Sequence, residues 1–121
     1  MTDSQTASPL GESARFSNII RMLAETIDAR TDASPDTSYT AKLLSKGPKK
    51  VAQKVAEEGT ELAIALVSET DEAVANEAAD LIYHTLVALK TRSISLDVVA
   101  EVLASREGIS GLDEKAARRE S

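Results

Sequence analysis

Five carboxylates have the types and spacing that chemistry would need: Glu57, Glu58 and Glu61 in one stretch, Glu77 and Asp80 in the next. Each stretch holds an acid-x-x-acid pair, which on a helix puts two carboxylates one turn apart on the same side. Hard oxygen donors of this kind, in a chain with no Cys, favour Mg²⁺, or Mn²⁺ as the alternative, over Zn²⁺. Directly upstream lies the opposite charge. Residues 40–56 carry five Lys (Lys42, Lys46, Lys49, Lys50 and Lys54) and no acid, whereas residues 57–80 carry eight acids and no base. Lys50, Lys54 and Glu58 are spaced by four, so the basic stripe runs into the acids along one helix face. Ammonium groups beside a cation-binding cluster are what a polyphosphate needs, although i,i+4 ion pairs from Lys54 to Glu57 or Glu58 explain that lysine equally well.

The elements that must position these residues are helical. Nineteen Ala, 12 Leu, 8 Val and 7 Ile against 5 Gly, 3 Pro and only three aromatics (Phe16, Tyr39, Tyr83) favour helices over sheets. From Phe16 the apolar residues Ile19, Ile20, Leu23 and Ile27 recur at helical spacing, with Ser13 or Ser17 as a cap. Arg30 to Thr37 reads as a loop around Pro35. Ser38 caps a short helix YTAKLLSK, which Gly47 stops, and Pro48 opens a long helix to about Ser68. The polar stretch SETD breaks it and caps a second long helix over Glu72 to Thr91. A break this short makes the two antiparallel neighbours. Ser95 caps a last helix carrying Leu96, Val99, Val102 and Leu103 and ending at Gly108. The expectation is an all-α antiparallel bundle of four to five helices over residues 13–108, flanked by a flexible tail at 1–12 and a charged tail at 109–121.

On a helical wheel Val51, Val55, Leu62 and Leu66 form the core stripe of the first long helix, with Glu58 at its edge and Glu61 further round. Val74, Ala78 and Leu81 form that of the second, bordered by Glu77, Asp80 and His84. Centring the turn near Glu69 pairs Glu58 with Asp80 and Glu61 with Glu77 across the hairpin. Four carboxylates then meet at one level. Two such charges ~5 Å apart repel by roughly 3 kcal/mol at an effective dielectric of ~20, so they splay into water, take up protons or hold a cation. Glu57 lies further from the stripe. His84 is expected to be satisfied by Asp80 or a backbone carbonyl, and Tyr39 and Tyr83 to pack rather than stack on a base.

Composition excludes several classes. The absence of Cys removes disulfides, thiolate nucleophiles and Cys-bearing zinc sites, and a single His removes His-rich ones. The net charge of −6 argues against non-specific nucleic-acid binding. No apolar run approaches a membrane span or a signal sequence, so a cytoplasmic protein is expected. Ile82, Leu86 and Val87 extend the apolar surface of their helix beyond one stripe, and a small core gains from a partner chain; a homodimer is expected.

The segments SYTAKLLSKGPKKVAQKVAEEGTELAIAL and NEAADLIYHTLVAL resemble the phosphoribosyl-ATP pyrophosphohydrolase family of histidine biosynthesis over about residues 16–108. Glu57, Glu58, Glu61, Glu77 and Asp80 match the E-E-x-x-E … E-x-x-D pattern of the wider all-α nucleoside triphosphate pyrophosphatases, the MazG-like superfamily. The resemblance implies that superfamily's fold, assembly as helical oligomers and Mg²⁺-dependent hydrolysis of phosphoribosyl-ATP to phosphoribosyl-AMP and pyrophosphate. It implies Glu58, Glu61, Glu77 and Asp80 as metal ligands and Lys46, Lys49, Lys50 and Lys54 as phosphate-binding groups. Glu57 or Glu61 would serve as base. The chain lacks the length and the cysteines of the zinc-dependent cyclohydrolase fused to many members, so a monofunctional enzyme is expected. A pyrophosphatase for other nucleoside triphosphates and a non-catalytic helical interaction module are the competing readings.

Overall fold

The computed structural model describes residues 14–107. The expected tails, Ser13 as a cap and Gly108 as a terminator lie outside the described residues. Five helices follow one another: α1 (Ala14–Ala29), α2 (Tyr39–Lys46), α3 (Pro48–Ser68), α4 (Asp71–Thr91) and α5 (Leu96–Arg106), with no strand among the described residues. None of the helices is long and apolar enough to cross a membrane.

The local signals act as their chemistry predicts. Ser38 accepts from the Ala41 N–H at the start of α2, Thr70 from Ala73 at the start of α4, and Ser95 from Val98 at the start of α5. Each satisfies one of the N–H groups a helix start leaves without an intrahelical partner. Gly47 closes α2 at φ 84°, ψ 176°, a backbone state essentially confined to glycine that costs a Cβ-bearing residue about 1–3 kcal/mol, and Pro48 opens α3 at once. Ser17 lies inside α1 and therefore caps nothing.

The hairpin of α3 and α4 is the backbone of the fold. α2 packs on both of its helices and α1 on α4, and Ile27, Leu43, Val51, Leu86 and Val87 form the buried core where they meet. Only this end of the hairpin is covered, and that rotates the buried line away from the expected stripes. On α3 the buried residues are Val51, Glu58 and Ala65, seven apart, whereas Leu66 is 64% exposed and Val55 and Leu62 are half-buried. On α4 they are His84, Leu86 and Val87, with Val74, Ala78 and Leu81 half-buried near the uncovered turn. Leu86 and Val87 thus belong to the chain's own core and offer no surface to a partner, contrary to expectation. The exposed apolar groups lie elsewhere, on the last turns of α3 (Ile64, Leu66, Val67), on α1 (Phe16, Ile19, Met22) and on α5 (Val98, Val102, Leu103).

Candidate functional site

The antiparallel hairpin brings the two acid-x-x-acid pairs together. Glu58, Glu77 and Asp80 each place a carboxylate oxygen within 4.8 Å of the others. Glu61 lies near enough to raise the pKa of both Glu58 and Glu77 without joining that tighter group. Glu58 sits deeper than an edge position: it is 7% exposed, held between Val51 and Ala65 on the buried line of α3. Its Oε2 and the Oε2 of Glu77 are both buried without a hydrogen-bond partner.

These carboxyls are strained electrostatically. Burial, then contact with Glu61, raises the pKa of Glu58, with Asp80 adding and His84 opposing. Glu77 is raised for the same reasons in the same order, burial first and then Glu61, followed by Asp80 and Glu58. A buried carboxylate oxygen without a donor is costly, and two of them facing like charges call for a proton or a cation. Hard oxygens in a cluster of this size suit a divalent cation, so the residues present fit one.

Glu57 is different in kind. It points outward, accepts from Gln53 Nε2 at 2.9 Å, and that bond followed by Lys54 lowers its pKa. Gln53 was not among the expected site residues, although its place four before Glu57 on a helix was a readable signal.

Among the lysines, Lys54 makes both of the ion pairs weighed for it, to Glu57 Oε1 at 3.6 Å and to Glu58 Oε1 at 3.8 Å. Lys50 donates to Gln53 Oε1 at 3.4 Å. Lys42, Lys46 and Lys49 have no ion pair among the described residues. Lys46 ends α2, and Lys49 and Lys50 lie in the first turn of α3, whose start carries no side-chain cap. Free N–H groups and ammonium groups there favour an anion.

His84 is buried, as a satisfied residue. Its Nδ1 is 2.8 Å from the backbone carbonyl of Asp80, not from the side chain, and its Nε2 is 3.3 Å from the Tyr39 hydroxyl. Tyr83 is hydrogen-bonded to Thr40, and burial raises its pKa. Tyr39 packs one face towards Tyr83, with ring centroids 6.3 Å apart, yet remains 53% exposed.

Comparison with known proteins bears on what this arrangement does. The family model for phosphoribosyl-ATP pyrophosphohydrolase matches residues 20–107. A phosphoribosyl-ATP pyrophosphatase of Erythrobacter litoralis is 52% identical over 101 residues, covering 84% of this chain and 97% of that protein. One from a Ruegeria species is 51% identical, covering 83% and 95%, and one from Caulobacter vibrioides is 47% identical, covering 88% and 98%.

Proposed function

Because the chain belongs to the phosphoribosyl-ATP pyrophosphohydrolase family and is a hydrolase of histidine biosynthesis, we propose that it performs the pathway's second step: Mg²⁺-dependent cleavage of the α–β phosphoanhydride of phosphoribosyl-ATP. Water adds to the α-phosphorus, the bond from that phosphorus to the bridging oxygen breaks, and phosphoribosyl-AMP and pyrophosphate result.

The observation that carries the reading is the cluster of Glu58, Glu77 and Asp80 with its two unpartnered buried oxygens. In this reading Glu58, Glu61, Glu77 and Asp80 hold the cation. The ion supplies charge neutralisation at the phosphate oxygens and at the departing pyrophosphate. Lys46, Lys49, Lys50 and Lys54 neutralise the rest of the triphosphate. Glu57 or Glu61 orients the attacking water and accepts its proton; Glu57 is exposed and anionic beside Gln53, and Glu61 touches the cluster. Residues 13–108 form the catalytic domain, acting in the cytoplasm as a homodimer, and the exposed apolar groups of α3, α1 and α5 supply surface for the second copy.

Pyrophosphate release from phosphoribosyl-ATP and from ATP, with and without Mg²⁺, tests this. The wild type is expected to prefer phosphoribosyl-ATP and to need the metal, and Glu61→Gln to lose at least about a hundredfold in kcat. Equal activity in Glu61→Gln sinks the site assignment; preference for ATP sinks the substrate. Light scattering that gives the monomer mass at every concentration refutes the dimer.

A further inference from the structure

Tyr39 is the first residue of α2, and its ring is held on two sides although it is 53% exposed. One hold is polar. The buried His84 has Nδ1 2.8 Å from the backbone carbonyl of Asp80, and since a carbonyl only accepts, Nδ1 carries the proton. In the neutral ring Nε2 then offers a lone pair, and the Tyr39 hydroxyl, 3.3 Å away, donates to it. The other hold is aromatic. The Tyr39 ring stacks towards Tyr83, with 24° between their planes, and meets His84 in a T-shaped arrangement at 82°. Tyr83 is fixed in turn by its hydrogen bond to Thr40.

These contacts orient the ring without covering it, and they place it beside the acidic cluster. A single imidazole separates the Tyr39 hydroxyl from the backbone of Asp80, whose carboxylate belongs to that cluster. In a nucleotide a single ribose separates the base from the α-phosphate. Phosphates held at the cluster therefore bring the base within reach of this ring. The proposed substrate also gives that base a distinctive chemistry. In phosphoribosyl-ATP the added ribose sits on N1 of the adenine, and alkylation there makes the purine an amidine basic enough to hold a proton at neutral pH. Such a base gains from a phenol ring twice: by stacking, which any base does, and by attraction of its positive charge to the electron-rich face. The neutral adenine of ATP has only the first.

Resting on the function proposed above, we propose that the exposed surface of the Tyr39 ring is where the N1-substituted, cationic purine stacks, and that this contact makes the protein prefer phosphoribosyl-ATP to ATP. His84 and Tyr83 are positioning residues that orient the ring before the substrate arrives, so stacking costs little side-chain freedom. Packing of the helix does not depend on the ring. α2 is anchored by Ala41 and Leu43, each 3% exposed, and by the separate Thr40–Tyr83 hydrogen bond.

The test uses the full chain, Mg²⁺ buffer at about neutral pH and three probes whose bridging carbon resists cleavage: α,β-methylene-ATP, its N1-methyl derivative, which has a cationic purine, and its N6-methyl derivative, which adds the same group to a neutral one. In calorimetry the wild type should bind the N1-methyl probe about five- to tenfold more tightly than either neutral probe. Tyr39→Leu should weaken binding of the N1-methyl probe by at least about tenfold and abolish the preference, whereas Tyr39→Phe, which keeps the ring, should retain most of it. A wild type that binds no probe or shows no preference, a preference that survives Tyr39→Leu, or a Tyr39→Phe that loses as much as Tyr39→Leu overturns the proposal. The wild type also supplies a readout that no folding defect can imitate. With only three aromatic residues in the chain, NMR should show nuclear Overhauser contacts from the purine H2 and H8 protons of the bound N1-methyl probe to the Tyr39 ring, and binding without them overturns the proposal. Hydrolysis of phosphoribosyl-ATP decides the catalytic reading separately: a chain that fails it but shows the preference and the contacts loses the function and keeps the purine site, and one that passes it with neither loses the purine site alone.

Discussion

Replacing Glu58 by Gln separates a metal site from an ordinary acidic surface. Two effects on the stability of the protein without metal oppose each other. Neutralising Glu58 removes its repulsion from Asp80, whose oxygen lies within 4.8 Å, roughly 3.5 kcal/mol at an effective dielectric of ~20; it also relieves the cost of burial and the repulsion from Glu61 and from Glu77, which is as close as Asp80. It also removes attraction to Lys54 at 3.8 Å, roughly 4.4 kcal/mol on the same scale. Asp80 is exposed and Lys54 half-buried, so solvent reduces both pairs, and with burial, Glu61 and Glu77 on the same side as Asp80 the balance without metal favours the neutral side chain. The melting temperature of Glu58→Gln in EDTA should therefore hold or rise relative to the wild type. Metal linkage behaves otherwise. Mg²⁺ at a hundredfold over its Kd stabilises the wild type by about 2.7 kcal/mol, a rise of roughly 10–20 °C for a domain of this size. A hundredfold loss of affinity on losing one anionic ligand leaves about 0.4 kcal/mol, or some 2 °C. The assay is a thermal melt of both proteins in EDTA and in Mg²⁺. A wild type indifferent to Mg²⁺, or a Glu58→Gln protein that keeps the full Mg²⁺ shift, refutes the reasoning.

Lys49→Gln with Lys50→Gln should leave the melting temperature within about 3 °C, since neither lysine makes an ion pair among the described residues, while raising KM for phosphoribosyl-ATP at least about tenfold; steady-state kinetics beside a melt checks both halves. Glu58 and Glu77 have carboxyl pKa values raised on folding, so their contribution to stability is full below the ordinary value of about 4.3 and is lost as pH rises through the folded values. Melts in EDTA should show that loss, and saturating Mg²⁺ should remove it; an identical pH profile in EDTA and in Mg²⁺ argues against the cluster. Gly47→Ala should cost about 1–3 kcal/mol although nothing lies within 4 Å of the added Cβ, because φ 84° with ψ 176° is a backbone state essentially confined to glycine; urea unfolding measures it.

The helices were legible in the sequence because their signals are local. Ser38, Gly47, Pro48 and Ser95 act within a few residues of themselves, and the two-residue break at Glu69 and Thr70 makes α3 and α4 antiparallel. The pairing of the acid couples across the hairpin followed from that turn alone. The buried line was less legible because it depends on what covers the hairpin. α1 and α2 cover only one end, so Leu66 stays outside while Ala65 goes in, a matter of one residue's rotation that periodicity within α3 does not encode. The Tyr39–His84 contact joins residues 45 apart. No spacing rule reaches that far, and a tyrosine at the start of a short helix looks like any other packing residue.

Glu58 shows why the buried line matters to function. It occupies the position seven after Val51 and seven before Ala65, both of them 0% exposed, where packing alone would place an apolar side chain. A carboxylate there carries a desolvation cost, faces Glu61, Glu77 and Asp80, and has Lys54 at only one of its two oxygens. Exposed acids on a solvated helix face incur none of these costs, since water and free rotation relieve them. The cluster therefore does not behave as a charged surface that happens to be dense. Its burial sets the direction of the repulsion, towards a point shared by α3 and α4, and a positive charge at that point satisfies the unpartnered oxygens and the repulsion at once. An apolar residue at position 58 would make a more stable hairpin and remove that point.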